Sequence, residues 1–144
     1  MSYLGIDIGT SGVKALLIDE HGRALGEASA AAVEPVRPHP GWSEQNPADW
    51  WTATLAAVDK LKAAHPAELA SVRGIGLSGH MHGATLLGRD DEILRPAILW
   101  NDGRSAAAVG KAGRIESVFN AHDVLLFRLS LLANHTSAPT VSIT

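Results

Sequence analysis

The 144-residue chain contains no cysteine, which removes disulfides and thiolate metal sites and is compatible with the cytoplasm without requiring it. Charge of one sign is also scarce. Lys and Arg number 12 against 15 Asp and Glu, leaving a net charge of -3, so there is no broad basic field and nucleic acid is not expected as a partner on electrostatic grounds. Long apolar runs are missing as well: no window approaches about 18 uncharged apolar residues, so a membrane span is unsupported. The N-terminus lacks a basic region and its apolar run is broken by Asp7, so no signal peptide is expected. No internal repeat is visible. What is present is a hydrophobic content of 46%, enough for one domain burying roughly two thirds of its unfolded surface.

The richest stretch is residues 1–22. Leu4, Ile6 and Ile8 alternate with Gly5 and Asp7, which predicts a strand with two different faces and with Asp7 near its end. Gly9, Thr10, Ser11 and Gly12 follow, and the apolar pattern resumes at Val13, Ala15, Leu16, Leu17 and Ile18 before a turn at Glu20, His21 and Gly22. A carboxylate, two hydroxyls and two glycines thus share one turn. The glycines can take positive φ and let a ligand approach the backbone amides, while the hydroxyls can donate to phosphate oxygens or reach a hydrated cation. An ordinary hairpin explains the same residues. The turn lacks the spacing of a Walker loop and of a dinucleotide fingerprint, and it joins strand to strand rather than strand to helix. Lys14 lies past the second glycine, where it reads equally as a solvated strand lysine or a phosphate contact.

Beyond that turn, the pattern predicts a third strand near residues 23–30 and an irregular, proline-bearing connection over residues 34–41. Asn46 suits an N-cap, Pro47 the first helical position and Asp49 the first turn, which predicts a helix from residue 47 to about residue 64, ended by His65 and Pro66. Trp51, Leu55, Val58 and Leu61 recur at helical spacing and are expected to face a sheet. Residues 72–77 read as a buried strand entering a loop at residues 78–83, with further strands at 84–87 and 97–100. Strands, a crossover helix and more strands make an α/β layer.

Two loops carry further chemistry. His80 and His82 sit two apart and, on an extended segment, would point the same way; zinc ligation and a structural histidine pair both fit. Asn101, Asp102 and Arg104 cluster after a strand, where they can contact a polyhydroxy substrate or cap a turn. Trp42 and Trp50 can stack on a sugar ring but read mainly as packing.

Taken in order, these segments resemble the FGGY carbohydrate kinases, members of the actin, Hsp70 and hexokinase superfamily, in their xylulokinase branch. Residues 7–14, Asp-Ile-Gly-Thr-Ser-Gly-Val-Lys, are similar to the family's first phosphate motif. Gly41-Trp42-Ser43-Glu44-Gln45-Asn46-Pro47, followed by Trp50-Trp51, resembles its W-S-E-Q-x-P-x-x-W-W segment. Residues 76–85 resemble the G-x-x-G-Q-M-H-G substrate loop, with His80 where Gln is usual. Residues 95–104 resemble R-P-A-I-L-W-N-D-G-R.

The resemblance implies a ribonuclease H-like, actin-like ATPase fold for an N-terminal domain, here incomplete, with a mixed sheet and crossover helix. It implies a kinase that uses ATP and Mg²⁺ to phosphorylate D-xylulose in the cytoplasm, with a homodimer left open. Asp7 would be the catalytic and metal-organising carboxylate. Gly9, Thr10, Ser11, Gly12 and Lys14 would approach the phosphate, and Met81, His82, Trp100, Asn101, Asp102 and Arg104 would contact the sugar. The family's catalytic Asp lies in a downstream Gly-Gly-Asp segment that this sequence lacks, as it lacks the adenosine motif and second phosphate loop. The matching part is expected to span residues 1–106. Residues 107–144, with a dense apolar patch at 124–132 and a Ser-, Thr- and Pro-rich end, are expected to diverge, as from a truncated or interrupted reading frame. Two readings follow: the N-terminal part of a sugar kinase, inactive alone, or a non-catalytic sugar- or phosphate-binding module.

Overall fold

The computed structural model describes residues 1–83 and 85–104. Apolar alternation carries the chain through three consecutive strands, β1 (Ser2–Ile8), β2 (Gly12–Asp19) and β3 (Ala24–Ala31). They form an antiparallel meander in which Asp7 lies opposite Lys14 and Ile8 opposite Val13. The second turn is fixed by the Asp19 carboxylate, which accepts the backbone N–H groups of His21 and Arg23, each at 2.9 Å. Gly22 takes a φ of +79° there, a conformation that costs glycine little. Those hydrogen bonds, that of the Arg23 backbone foremost, lower the Asp19 pKa to about 2.

After an irregular connection come the short strand β4 (Glu44–Gln45) and the helix α1 (Pro47–Ala64). The Asn46 side chain caps α1 by accepting from the Ala48 N–H at 3.1 Å, and Pro47 opens it, as the sequence predicts. His65 and Pro66 do not simply end the helix; Pro66 starts a second short one, α2 (Pro66–Ala70). The chain then returns as β5 (Val72–Gly79), which pairs parallel with β1, so the sheet order is β3-β2-β1-β5. Joining β3 to β5 across two intervening strands requires a crossover, which α1 and α2 supply.

The core lies between one sheet face and α1. Leu4, Ile6 and Ile8 of β1 and Val13, Ala15 and Leu17 of β2 meet Trp50, Ala53, Ala57 and Leu61 of α1. Each large apolar side chain removed from water there contributes about 1.5 to 3 kcal/mol. Leu55, expected to face the sheet, is 44% exposed, while Trp50 is 3% exposed. Trp51 and Val58 pack at the margin of the core.

The strand expected at residues 84–87 does not form: Leu87 makes an isolated bridge with Ile93, and Ala84 lies outside the described residues. The strand expected at residues 97–100 is shorter, β6 (Ala97–Ile98), and pairs antiparallel with β4 in a separate two-stranded sheet. A turn cuts it short, the Asp102 N–H donating to the Leu99 carbonyl at 3.0 Å. The apolar patch at 124–132 and the rest of residues 105–144 lie outside the described residues.

Candidate functional site

Because β1 and β5 run parallel as neighbours, with Ile8 beside Gly79, both leave the sheet at the same edge. Residues 9–11 and 80–83 therefore emerge side by side, and ligands of open α/β sheets bind beyond the carboxyl ends of such strands. A cavity of about 370 Å³ lies there, lined by residues 7–10, residues 79–82 and Trp100.

The first wall is the β1–β2 turn. The Gly9 N–H donates to the Gly12 carbonyl at 2.9 Å, and the Ser11 carbonyl accepts from Ala32 at 3.1 Å. Contrary to the sequence expectation, neither Gly9 nor Gly12 adopts positive φ; among the described glycines only Gly22 and Gly41 do. Close approach explains Gly12 instead, since a Cβ there would lie 2.6 Å from the Ala30 carbonyl oxygen of β3. Asp7 is exposed at the mouth of the cavity and Thr10 lines it. Ser11 and Gly12 do not line it. Lys14 turns its ammonium to Glu27 of β3 at 2.8 Å, an ion pair more than half exposed on both sides.

The second wall is the loop after β5. Met81 is 72% exposed, and His82 holds a φ of 62°, so the segment is not extended. His80 and His82 accordingly part company: His80 is buried and His82 exposed. Among the described residues no group of three or more His, Asp or Glu side chains could hold a metal ion. The His80 imidazole stacks on Trp50, with centroids 5.3 Å apart and planes at 28°. Burial lowers its pKa, opposed by the Gly9 backbone and the Asp7 carboxylate.

The third wall is Trp100, 64% exposed. Asn101, beside it, is exposed, and Asn101, Asp102 and Arg104 do not line the cavity. The Asp102 carboxylate accepts from the Ser43 N–H at 2.6 Å and from Arg104 Nε at 2.8 Å. Arg104 also meets Glu44 at 2.8 Å and lies 3.6 Å over the Trp42 ring. Arg95 reaches the same Glu44 oxygen at 2.6 Å. The Arg104 guanidinium holds the Asp102 carboxyl well below its usual range, and Asp102 in turn raises Arg104. This knot fastens residues 41–45 to residues 95–104, with Trp100 between β6 and the knot.

Sequence reasoning quoted Gln45 within a motif but assigned it no role. It is 2% exposed. Its Oε1 accepts from Trp50 Nε1 at 2.8 Å, while its Nε2 donates to the Thr10 carbonyl at 3.3 Å and to the Val33 carbonyl. Its sequence neighbours Ser43, Glu44 and Asn46 are polar, so no local pattern marks it for burial.

The fit for a divalent cation rests on Asp7. Mg²⁺ keeps several waters and binds through one or two carboxylates together with substrate phosphates. A single exposed carboxylate beside a backbone turn suits that mode, whereas it would not make an all-protein cage. Thr10 of the same turn lines the cavity of about 370 Å³ beside it.

The model of the FGGY family of carbohydrate kinases, N-terminal domain, matches residues 2–130. The chain belongs to that family. Among curated FGGY relatives, the xylulose kinase of Klebsiella pneumoniae is 53% identical over 104 residues, covering 72% of this chain and 21% of that protein. The xylulose kinase of Escherichia coli K12 is 51% identical over the same length and shares. A solved xyloylose kinase from Brucella ovis superposes with a TM-score of 0.75 at 56% identity, covering 77% of this chain and 23% of that one. The chain therefore spans about a fifth of the length of the curated relatives it matches. Its mixed sheet with crossover helix is the ribonuclease H-like, actin-like ATPase fold of the FGGY N-terminal domain. No helix among the described residues is long and apolar enough to cross a membrane.

Proposed function

We propose that this chain forms the sugar- and phosphate-facing wall of a cytoplasmic, ATP-dependent kinase that converts D-xylulose to D-xylulose 5-phosphate. The observation that carries the reading is a cavity edged by Asp7 near the end of β1, by Gly9 and Thr10 of the β1–β2 turn, and by Met81, His82 and Trp100 from the other two walls. Phosphoryl transfer requires little covalent chemistry from protein; positioning and charge neutralisation supply most of it. Asp7 would hold Mg²⁺ through water, and the bound cation would neutralise charge on the transferring phosphate. Thr10 and the backbone of residues 9 and 10 border the phosphate. His82 exchanges hydrogen bonds with hydroxyls of an open-chain ketose, while Met81 and Trp100 pack on its carbon skeleton. Asp102 and Arg104, in this reading, act through Trp100 rather than on the sugar.

A general base contributes about a hundred- to ten-thousand-fold, and the Gly-Gly-Asp segment that would carry it is not in this sequence. The expected result of a coupled ADP-release assay with D-xylulose is negligible turnover by the chain alone and restored turnover when the remaining part of a xylulose kinase is added. Turnover by the isolated chain at the rate of an ordinary sugar kinase would refute the division of labour. Preference of the reconstituted enzyme for glycerol, gluconate, fuculose or ribulose would overturn the substrate assignment.

A further inference from the structure

The two ligand-facing loops share no strand pairing beyond Ile8 and Gly79, yet one buried side chain reaches toward both. Gln45 has a single arrangement that satisfies it. Trp50 Nε1–H can only donate, so it fixes Oε1 as the acceptor, which turns the Nε2 donors toward the carbonyls of Thr10 and Val33. Thr10 is in the phosphate-facing turn. Trp50, at the other end of the amide, stacks on His80 in the sugar-facing loop, and His80 lines the same cavity as Gly9 and Thr10. The path Thr10, Gln45, Trp50, His80 thus runs from one wall of the cavity to the other through the buried residues behind it. Gln45 and Trp50 are buried behind the cavity, while Thr10, His80 and Gly9 line it.

We infer that Gln45 is a positioning residue that, through Trp50 and His80, ties the phosphate-facing turn to the sugar-facing loop so that the two are ordered together. The inference rests on the reading of the cavity as a sugar and phosphate site. Its consequence is reciprocal: a sugar that orders residues 79–82 lowers the ordering cost at residues 9–12, and phosphate does the same for the sugar. Neither Gln45 nor Trp50 lines the cavity, so loss of the tie alters coupling more than either separate affinity.

The test uses the 144-residue chain and two probes, D-xylulose and inorganic phosphate, titrated singly and together, in the parent protein, in Gln45→Met and in Trp50→Phe. In the parent, D-xylulose is expected to tighten phosphate binding about fivefold or more, the lower end of ordinary coupling, and phosphate to tighten D-xylulose equally. In both variants that ratio is expected to fall to about 1, with D-xylulose binding in the absence of phosphate changed less than about threefold. A ratio of 1 in the parent, or an undiminished ratio in both variants, overturns the inference. Amide exchange in the ligand-free chain separates this from failure of the sugar assignment. The Gly9 amide, hydrogen-bonded to Gly12, is expected to exchange faster in both variants while amides of β2 keep their rates, and the His80 ring resonances are expected to shift. If D-xylulose does not bind the parent, the substrate reading fails but this exchange pattern still supports the tie. Exchange rising equally in β2, or unchanged at Gly9, shows Gln45 to be ordinary core and overturns it.

Discussion

The indole of Trp50 lies against the imidazole of His80 at 5.3 Å between centroids, joining the first turn of α1 to the loop that leaves β5. A core residue thereby backs one wall of the cavity. Trp50→Ala would leave a large void at a 3% exposed position and is expected to cost about 3 to 5 kcal/mol, read by urea denaturation of the chain.

Gly12 and Gly76 make a matched pair for testing why the binding turn is glycine-bearing. A Cβ on Gly12 would meet the Ala30 carbonyl at 2.6 Å, whereas one on Gly76 meets nothing within 4 Å. Gly12→Ala is expected to destabilise by about 1 to 3 kcal/mol, and Gly76→Ala to stay within about 0.5 kcal/mol of the parent. Equal effects would show that the strand approach does not select glycine.

Acid should loosen the knot at Asp102. Its folded pKa lies well below the usual carboxylate range, with the Arg104 hydrogen bond as the leading cause. A depressed carboxyl stabilises the fold fully above about pH 4, and that contribution is lost as pH falls through the folded value. Asp102→Asn is expected to cost about 3 kcal/mol at neutral pH, because it leaves Arg104 partly unpaired. It should also flatten the decline in stability below pH 4, seen by thermal unfolding across pH 2 to 7, a scan range chosen around that carboxyl.

Asp7 and Met81 stand apart from the core, both exposed, so their substitution separates function from folding. Asp7→Asn is expected to lower turnover of the reconstituted kinase by at least about a hundred-fold, and Met81→Ala to weaken D-xylulose binding about fivefold, the loss of roughly 1 kcal/mol of apolar contact. Both should leave the unfolding free energy within about 0.5 kcal/mol of the parent.

Local signals were legible where the physics is local. Asn46, Pro47 and the His65-Pro66 pair set the bounds of α1 because caps and proline act within one turn. The buried face of α1 was harder to read. Its stripe is Trp50, Ala53, Ala57 and Leu61, in which two alanines allow the helix to sit close on β2 and β3, and a reading that follows large side chains selects Leu55 instead. The pairing of β4 with β6 joins residues more than fifty positions apart, and two polar residues, Glu44 and Gln45, give no alternation to announce it. Asp7, Thr10, Met81, His82 and Trp100, drawn from three separate motifs, line one cavity. Asp102 and Arg104 carry equally polar side chains but spend them on each other, on Ser43 and on Glu44, a partnership that no spacing along the chain reveals.

The most direct measurement of the central claim is residue-resolved NMR of the ¹⁵N-labelled chain during titration with D-xylulose. The account predicts that shifts concentrate at residues 79–82 and at the Trp100 indole, saturate together, and leave the turn at Asp19 and Gly22 unmoved. Shifts absent from residues 79–82 and Trp100 at saturating sugar, or centred on another face of the sheet, would contradict it.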